Sequence, residues 1–289
     1  MIRSTNLDAV ALTPARRRAT LDRAGLFGVL LVSLFAAAAM LAWLGLLGAG
    51  WSEAGAGQWE APSRAHWFGT NRLGQDILDR GLASIGTAFQ VGLLVALAST
   101  ALGALFGSLA GWRPGGWLDE AVLWLMGVLD SIPFYLFAAA LAFALGGGPL
   151  AMYVAMVATF WTPTGRLVRG EVLRLREREF ILSARALGLP ARLIIWRHLL
   201  PNTAPVLLVQ ATLTFVAAIK TEVILSFLGL GFSDGVSWGI MLAESTQDVL
   251  AGHFGNFLAA SGLLFLLLLG FSLLSDALQD AVDVRGLSA

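Results

Sequence analysis

"SARALGLPARLIIWRHLLPN", Ser183 to Asn202, sets a basic helix-turn-helix pattern directly against an apolar run, in a chain of 289 residues. Gly188 reads as the residue just past one helix end, and Pro190 as the start of the next helix. In that second helix Leu189, Leu193, Trp196 and Leu200 recur at helical spacing and predict one apolar face. A short amphipathic helix of this kind docks in a partner's groove or lies on lipid headgroups, and the pattern alone leaves both open.

Around this insert the chain is 57% hydrophobic and 13% charged, with a mean hydropathy of +0.76. That is too little polar surface to cover a soluble globule, so the class is a membrane protein. The absence of Cys excludes disulfides and thiolate metal sites. His66, His198 and His253 are far apart, and no metal centre is expected. The net charge is zero, and no nucleic-acid partner is expected. The first apolar run, from Ala24, is too long for the core of a cleavable signal peptide.

About 20 apolar residues are needed to cross a bilayer. The uncharged runs predict an all-α integral membrane protein with six transmembrane helices, at 24–47 and approximately 83–111, 118–145, 149–165, 203–230 and 254–276. Residues 1–23 form an N-terminal arm, 48–80 an extracytoplasmic segment and 81–280 the transmembrane core. A cytoplasmic loop runs over 166–200, and the tail over 281–289. Of the 19 basic residues, fifteen fall on the arm, the second-to-third connection, the 166–200 loop or the tail. Only Arg64, Arg72 and Arg80 fall on the other side, with Lys220 inside a span. Positive loops stay inside, so both termini are expected in the cytoplasm.

Asp130, Lys220 and Glu222 lie within predicted spans, where a charge is costly and faces a wet cavity or a protein contact. They are candidates for the lining of a translocation path; a structural contact or snorkelling is the alternative. Lys220 and Glu222 are two residues apart and point to different helix faces. Lys220 is also the only Lys, and Ile219 stands where a phosphate-binding Gly-Lys-Ser/Thr loop needs Gly, so ATP is not expected to bind this chain. No Ser-His-Asp, Cys-His or His-Glu set points to an enzyme.

The Ser183–Asn202 stretch resembles the cytoplasmic loop of ABC importer permeases, whose pattern is Glu-Ala-Ala, three residues, Gly, nine residues, then Ile-x-Leu-Pro. Gly188 takes the Gly and Leu200-Pro201 the Leu-Pro, while Leu182, Ser183 and His198 replace the Glu, the first Ala and the Ile. "HWFGTNRLGQDILDR" (His66–Arg80), "LSFLGLG" (Leu225–Gly231), "SWGIMLAE" (Ser237–Glu244) and "LLSDALQDAVDVR" (Leu273–Arg285) are similar to the dipeptide, oligopeptide and nickel permeases, with the second permease of the pair the nearest pattern. Glu222 matches that pattern; Lys220 does not, and Asp130 lies one turn after the usual acid position, here Gly127.

The resemblance implies a type I importer permease fold in a bacterial inner membrane. It further implies a second homologous permease, two ATPase subunits that bind ATP and Mg, and an extracytoplasmic substrate-binding protein. Ser183, Ala184, Arg185, Ala186, Gly188, Pro201 and Asn202 are then the residues of the ATPase-coupling loop. The 48–80 segment, with Trp51, Trp59, Trp67 and Phe68, becomes a docking surface as an alternative to a simple headgroup marker. The acidic 231–252 loop, with Asp234, Glu244 and Asp248, is a second candidate surface. Peptide import is the expected function, nickel import the rival within the class, and an ion-coupled carrier using Asp130 or Glu222 the more remote one.

Overall fold

The computed structural model describes residues 23–232 and 235–286. Most of the N-terminal arm, Asp234 and the last three residues of the tail lie outside the described residues.

The described chain is built of helices: α1 (Arg23–Trp43), α2 (Ile77–Trp112), α3 (Trp117–Ser131), α4 (Phe134–Ala144), α5 (Pro149–Leu175), α6 (Glu179–Ala186), α7 (Ala191–Ile194), α8 (Leu200–Phe227), α9 (Trp238–Leu250) and α10 (Gly255–Gly286). Four stretches are long and apolar enough to cross a membrane: α1, α2, the continuous run Ala191–Phe227, and α10 as far as Val282. A fifth is obtained when α3 and α4 count as one broken span.

The expected span 118–145 is not straight, because α3 and α4 meet at 90°. Pro133 causes the break: it has no N–H, and it drives Ile132 into extended backbone (φ −90°, ψ 124°). The expected span 149–165 is the first part of α5, whose second half carries Arg166, Arg169, Glu171 and Arg174. The expected 166–200 loop is largely helical, since α5 extends to Leu175 and the next long helix begins at Ala191.

Small residues decide how the helices pack. Gly103, Gly107 and Gly111 form a stripe on α2 at four-residue spacing, and α5 lies on it. A Cβ on Gly107 would stand 2.5 Å from the Gly165 carbonyl oxygen and 3.0 Å from Val168 Cβ. With lipid as solvent there is little hydrophobic drive between helices, so close backbone approach supplies the contact energy. The rising register, Gly103 on Thr164 and Gly111 on Val172, makes α2 and α5 parallel. α1 packs antiparallel on α10 by the same device, Gly28 on Leu273 and Gly270 on Leu31. Phe89, Phe215 and Phe271 fill the space between α2, α8 and α10. This packing brings Arg23, α6 and the end of α10 to one end of the bundle, and Ile77, α9 and Gly255 to the other.

Candidate functional site

At the α6 end, the sequence motif forms a short helix closed by a left-handed glycine. Gly188 has φ +75°. Its N–H donates to the Arg185 carbonyl at 3.0 Å, and the Leu189 N–H donates to the Ala184 carbonyl at 3.2 Å. These two bonds satisfy carbonyls that a helix end otherwise leaves open. Pro190 (φ −66°, ψ 143°) then precedes α7. Ile181 and Ala184 bury α6 against Val168, Val172 and Leu175 of α5 and Ile194, Ile195 and Leu199 beyond the turn. The opposite face of α6 is open: Ser183, Arg185, Ala186 and Gly188 are exposed, as are Leu182 and, at 80%, Leu187. Arg185 stacks its guanidinium over Trp112, 5.4 Å from the ring centroid, which fixes the basic group beside the exposed leucines.

The face read from Leu189, Leu193, Trp196 and Leu200 is only partly covered, with Leu189 and Leu200 half-buried against the same cluster. Leu193 and Trp196 (66%) are exposed, whereas Ile194, Ile195 and Leu199 are buried. The segment has two apolar faces, and packing against α5 and α6 selects Ile194, Ile195 and Leu199; a π turn spans Ile195–Leu199, closed by the Leu200 N–H on the Ile195 carbonyl. Pro201 follows at once and offers no N–H to the turn before it. Asn202 Nδ2 donates to the His198 carbonyl at 2.5 Å and supports that turn. Pro201 and Asn202 therefore set the join between the motif and α8.

The charges expected inside spans have three different settings. Asp130 is exposed, ion-paired with Arg166 of α5 and hydrogen-bonded by Thr162 Oγ1 at 2.8 Å. Glu222 is buried at 1% exposure and accepts from Ser226 Oγ at 2.6 Å, with Ser237 of the α9 N-terminus as a second hydroxyl partner. Lys220 is exposed on the side of α8 that also carries Leu213, Ile224 and Phe227, and no described acid pairs with it. The fold thus does not bring the three together. One further ion pair was not legible in the sequence: Asp119, at the base of α3, receives two bonds from Arg169 of α5 at 2.6 and 2.9 Å.

At the other end, two segments read separately form one surface. Residues 51–80 fold onto α9 and the start of α10 through Arg80, whose guanidinium makes two bonds to Glu244 at 2.8 and 2.9 Å and a further one to Gln75. Arg72 donates to Gln247 at 2.8 Å, and Trp59 Nε1 donates to Asp248 at 2.9 Å. Within the segment, Gly69 and Gly74 adopt φ near +75°, and Asp76 caps α2 while pairing with His66 at 2.7 Å. The motif residues thus hold the plate together. Trp59 and Asp248, each singled out in its own segment, meet here, and Asn256, which nothing in the sequence marks, completes the contact.

Comparison with known proteins gives a consistent family. Residues 103–285 match the profile described as "Binding-protein-dependent transport system inner membrane component". The chain is 36% identical over 225 residues to the dipeptide transport system permease protein DppC of Bacillus subtilis, covering 78% of this chain and 70% of that one. It is 37% identical over 227 residues to the oligopeptide transport system permease protein OppC of Mycobacterium bovis, covering 78% and 77%. It is likewise 37% identical over 229 residues to the glutathione transport system permease protein GsiD of Pectobacterium atrosepticum, covering 78% and 75%.

Proposed function

This chain belongs to the family of binding-protein-dependent transport system inner membrane components, and we propose that it is the second permease of an ATP-driven importer of di- and oligopeptides. The observation that carries this reading is the α6–Gly188 projection, a rigid turn that presents Leu182, Leu187 and Arg185 outward at one end of the bundle. Exposed apolar side chains flanked by Arg fit a cleft in another protein. The relatives' printed roles in dipeptide, oligopeptide and glutathione transport support small peptides as the cargo.

In this reading the α6 end is cytoplasmic and docks an ATPase subunit that holds ATP and Mg. The full assembly has a homologous permease, two ATPases and a substrate-binding protein on the opposite face. The chain crosses the bacterial inner membrane six times, with α5, long enough at 27 residues, as the span that its composition alone leaves out. The parallel packing of α5 along α2 supports that topology. ATP-driven closure of the ATPase pair shifts the two permeases between inward- and outward-open states by binding those states differently. Ser183, Ala184, Arg185, Ala186 and Gly188 form the coupling surface, with Pro201 and Asn202 fixing its angle to α8. Lys220 faces the path, while Glu222 ties α8 to α9 and Asp130 ties α3 to α5.

Affinity purification of the tagged chain from its native membrane, wild type against Gly188→Pro, tests this. An ATPase and a second permease are expected with the wild type, and loss of the ATPase alone from the variant. A chain that purifies alone and moves solute in vesicles without ATP would overturn the reading.

A further inference from the structure

α2 is one unbroken helix of 36 residues, roughly 54 Å from end to end. Its first turns are pinned to the plate formed by residues 51–80 and α9: Arg80 bonds to Glu244, and Trp238 Nε1 donates to the Gly81 carbonyl at 3.1 Å. Its last residue is Trp112, at the end of the bundle where α6 projects. Gly111 seats that last turn on α5, where a Cβ would stand 2.8 Å from the Arg169 carbonyl oxygen and 2.9 Å from Val172 Cβ. Trp112 itself is half-buried against the cluster that holds Val168, Val172, Ile181 and Ala184. The place of its ring is therefore fixed by packing that does not involve the Arg185 guanidinium.

Arg185 has no comparable anchor. It is exposed on α6, and among the described residues no acid pairs with it. A long cationic side chain in that setting keeps its rotamer freedom unless something holds it. The Trp112 ring does so, with the guanidinium carbon 5.4 Å from the centroid and within reach of cation–π attraction. α6 has only 8 residues, too few to hold a helix unaided. Ile181 and Ala184 seat it on α5, and the Arg185 stack ties it to α2. The backbone carbonyl of the same Arg185 accepts the Gly188 N–H that closes the turn. One residue thus joins the turn to a helix that reaches the opposite end of the bundle.

We propose that Trp112 is a positioning residue: its ring holds Arg185 and ties the α6 turn to α2, so that a displacement of α6 is passed along α2 to the 51–80 plate. That an ATPase drives the displacement rests on the import reading; the tie itself does not.

Hydrogen exchange of the full chain in lipid nanodiscs reads the Gly188 and Leu189 amides, whose bonds close the turn. For one exposed cation–π pair, exchange about two- to fivefold faster is expected in Trp112→Leu and in Arg185→Met. Trp112→Phe, which keeps a ring, should stay near wild type, and the double variant Trp112→Leu/Arg185→Met should exchange no faster than either single one. In the native complex, addition of ATP should change exchange over residues 51–80, and that change should be smaller in Trp112→Leu although the ATPase is still bound. Wild-type exchange in Trp112→Leu overturns the proposal. So do Trp112→Phe as fast as Trp112→Leu, additive effects of the two changes, or an undiminished ATP response. If Trp112→Leu does not fold, unchanged exchange in Arg185→Met is the overturning result. A wild-type chain that brings no ATPase refutes the import reading instead, and exchange at Gly188 and Leu189 then decides the tie.

Discussion

Gly188 allows a substitution series in which one physical term is isolated. Its φ of +75° lies in the left-handed region, and a Cβ added there meets no atom within 4 Å. Gly188→Ala therefore creates no clash and costs only the backbone strain of an L-residue at positive φ, about 1–2 kcal/mol. That corresponds to a drop of about 5- to 30-fold in the population of the turn relative to its open forms. Asn tolerates this region better than Ala, so Gly188→Asn is expected to cost less. Gly188→Pro is expected to cost most: its ring forbids the φ and removes the N–H that bonds to Arg185 at 3.0 Å. The assay is retention of the ATPase by the tagged permease across a detergent-wash series, with ATP-dependent uptake measured in parallel. The expected order is Gly, Asn, Ala, Pro, with α-helical content unchanged. Ala indistinguishable from Gly, or Asn no better than Pro, would refute the argument that backbone conformation at this residue sets the coupling geometry.

Gly107→Ala should lower thermal stability by about 1–3 kcal/mol, because its Cβ is forced against the Gly165 carbonyl. Gly170→Ala, in open space within α5, should be neutral or stabilising, and the two melting curves compared in one detergent check this. Arg80→Met leaves Glu244 without its bidentate partner and is expected to destabilise the chain by about 3 kcal/mol, with Arg80→Met/Glu244→Met nearer to wild type. Denaturation of all three proteins measures that coupling. Lys220→Met is expected to change stability by less than about 0.5 kcal/mol, since no described acid pairs with it. Its uptake of acidic, neutral and basic peptides should nevertheless diverge; equal uptake of all three would remove Lys220 from the path.

The membrane class was legible from composition alone, and four spans from runs of uncharged residues, because bilayer thickness imposes a length that a one-dimensional reading can apply. Gly188 and Pro190 were legible for the same local reason: few residues other than Gly take a positive φ at low cost, and a Pro marks a helix start through its own ring. The 90° elbow between α3 and α4 was written in Ile132-Pro133. An apolar run on both sides of a Pro reads as one span whether the helix kinks or breaks, so the angle itself is not legible in the sequence.

What only the tertiary structure decided are the pairings and the phase. Packing on α5 and α6 buried Ile194, Ile195 and Leu199 and left Leu193 and Trp196 exposed, a choice between two apolar faces that periodicity cannot make. Asp130 looked like a lone charge in a span until α5 placed Arg166 beside it. Trp59 and Asp248 are separated by 189 residues, and their bond exists only because the folded chain lays the segment before α2 against α9. Local stereochemistry and bilayer length act along the chain, so the sequence determines that long apolar helices form and where Gly188 and Pro190 punctuate the motif. Contacts between distant residues depend on how closely and in which register those helices pack, and only the folded chain sets that.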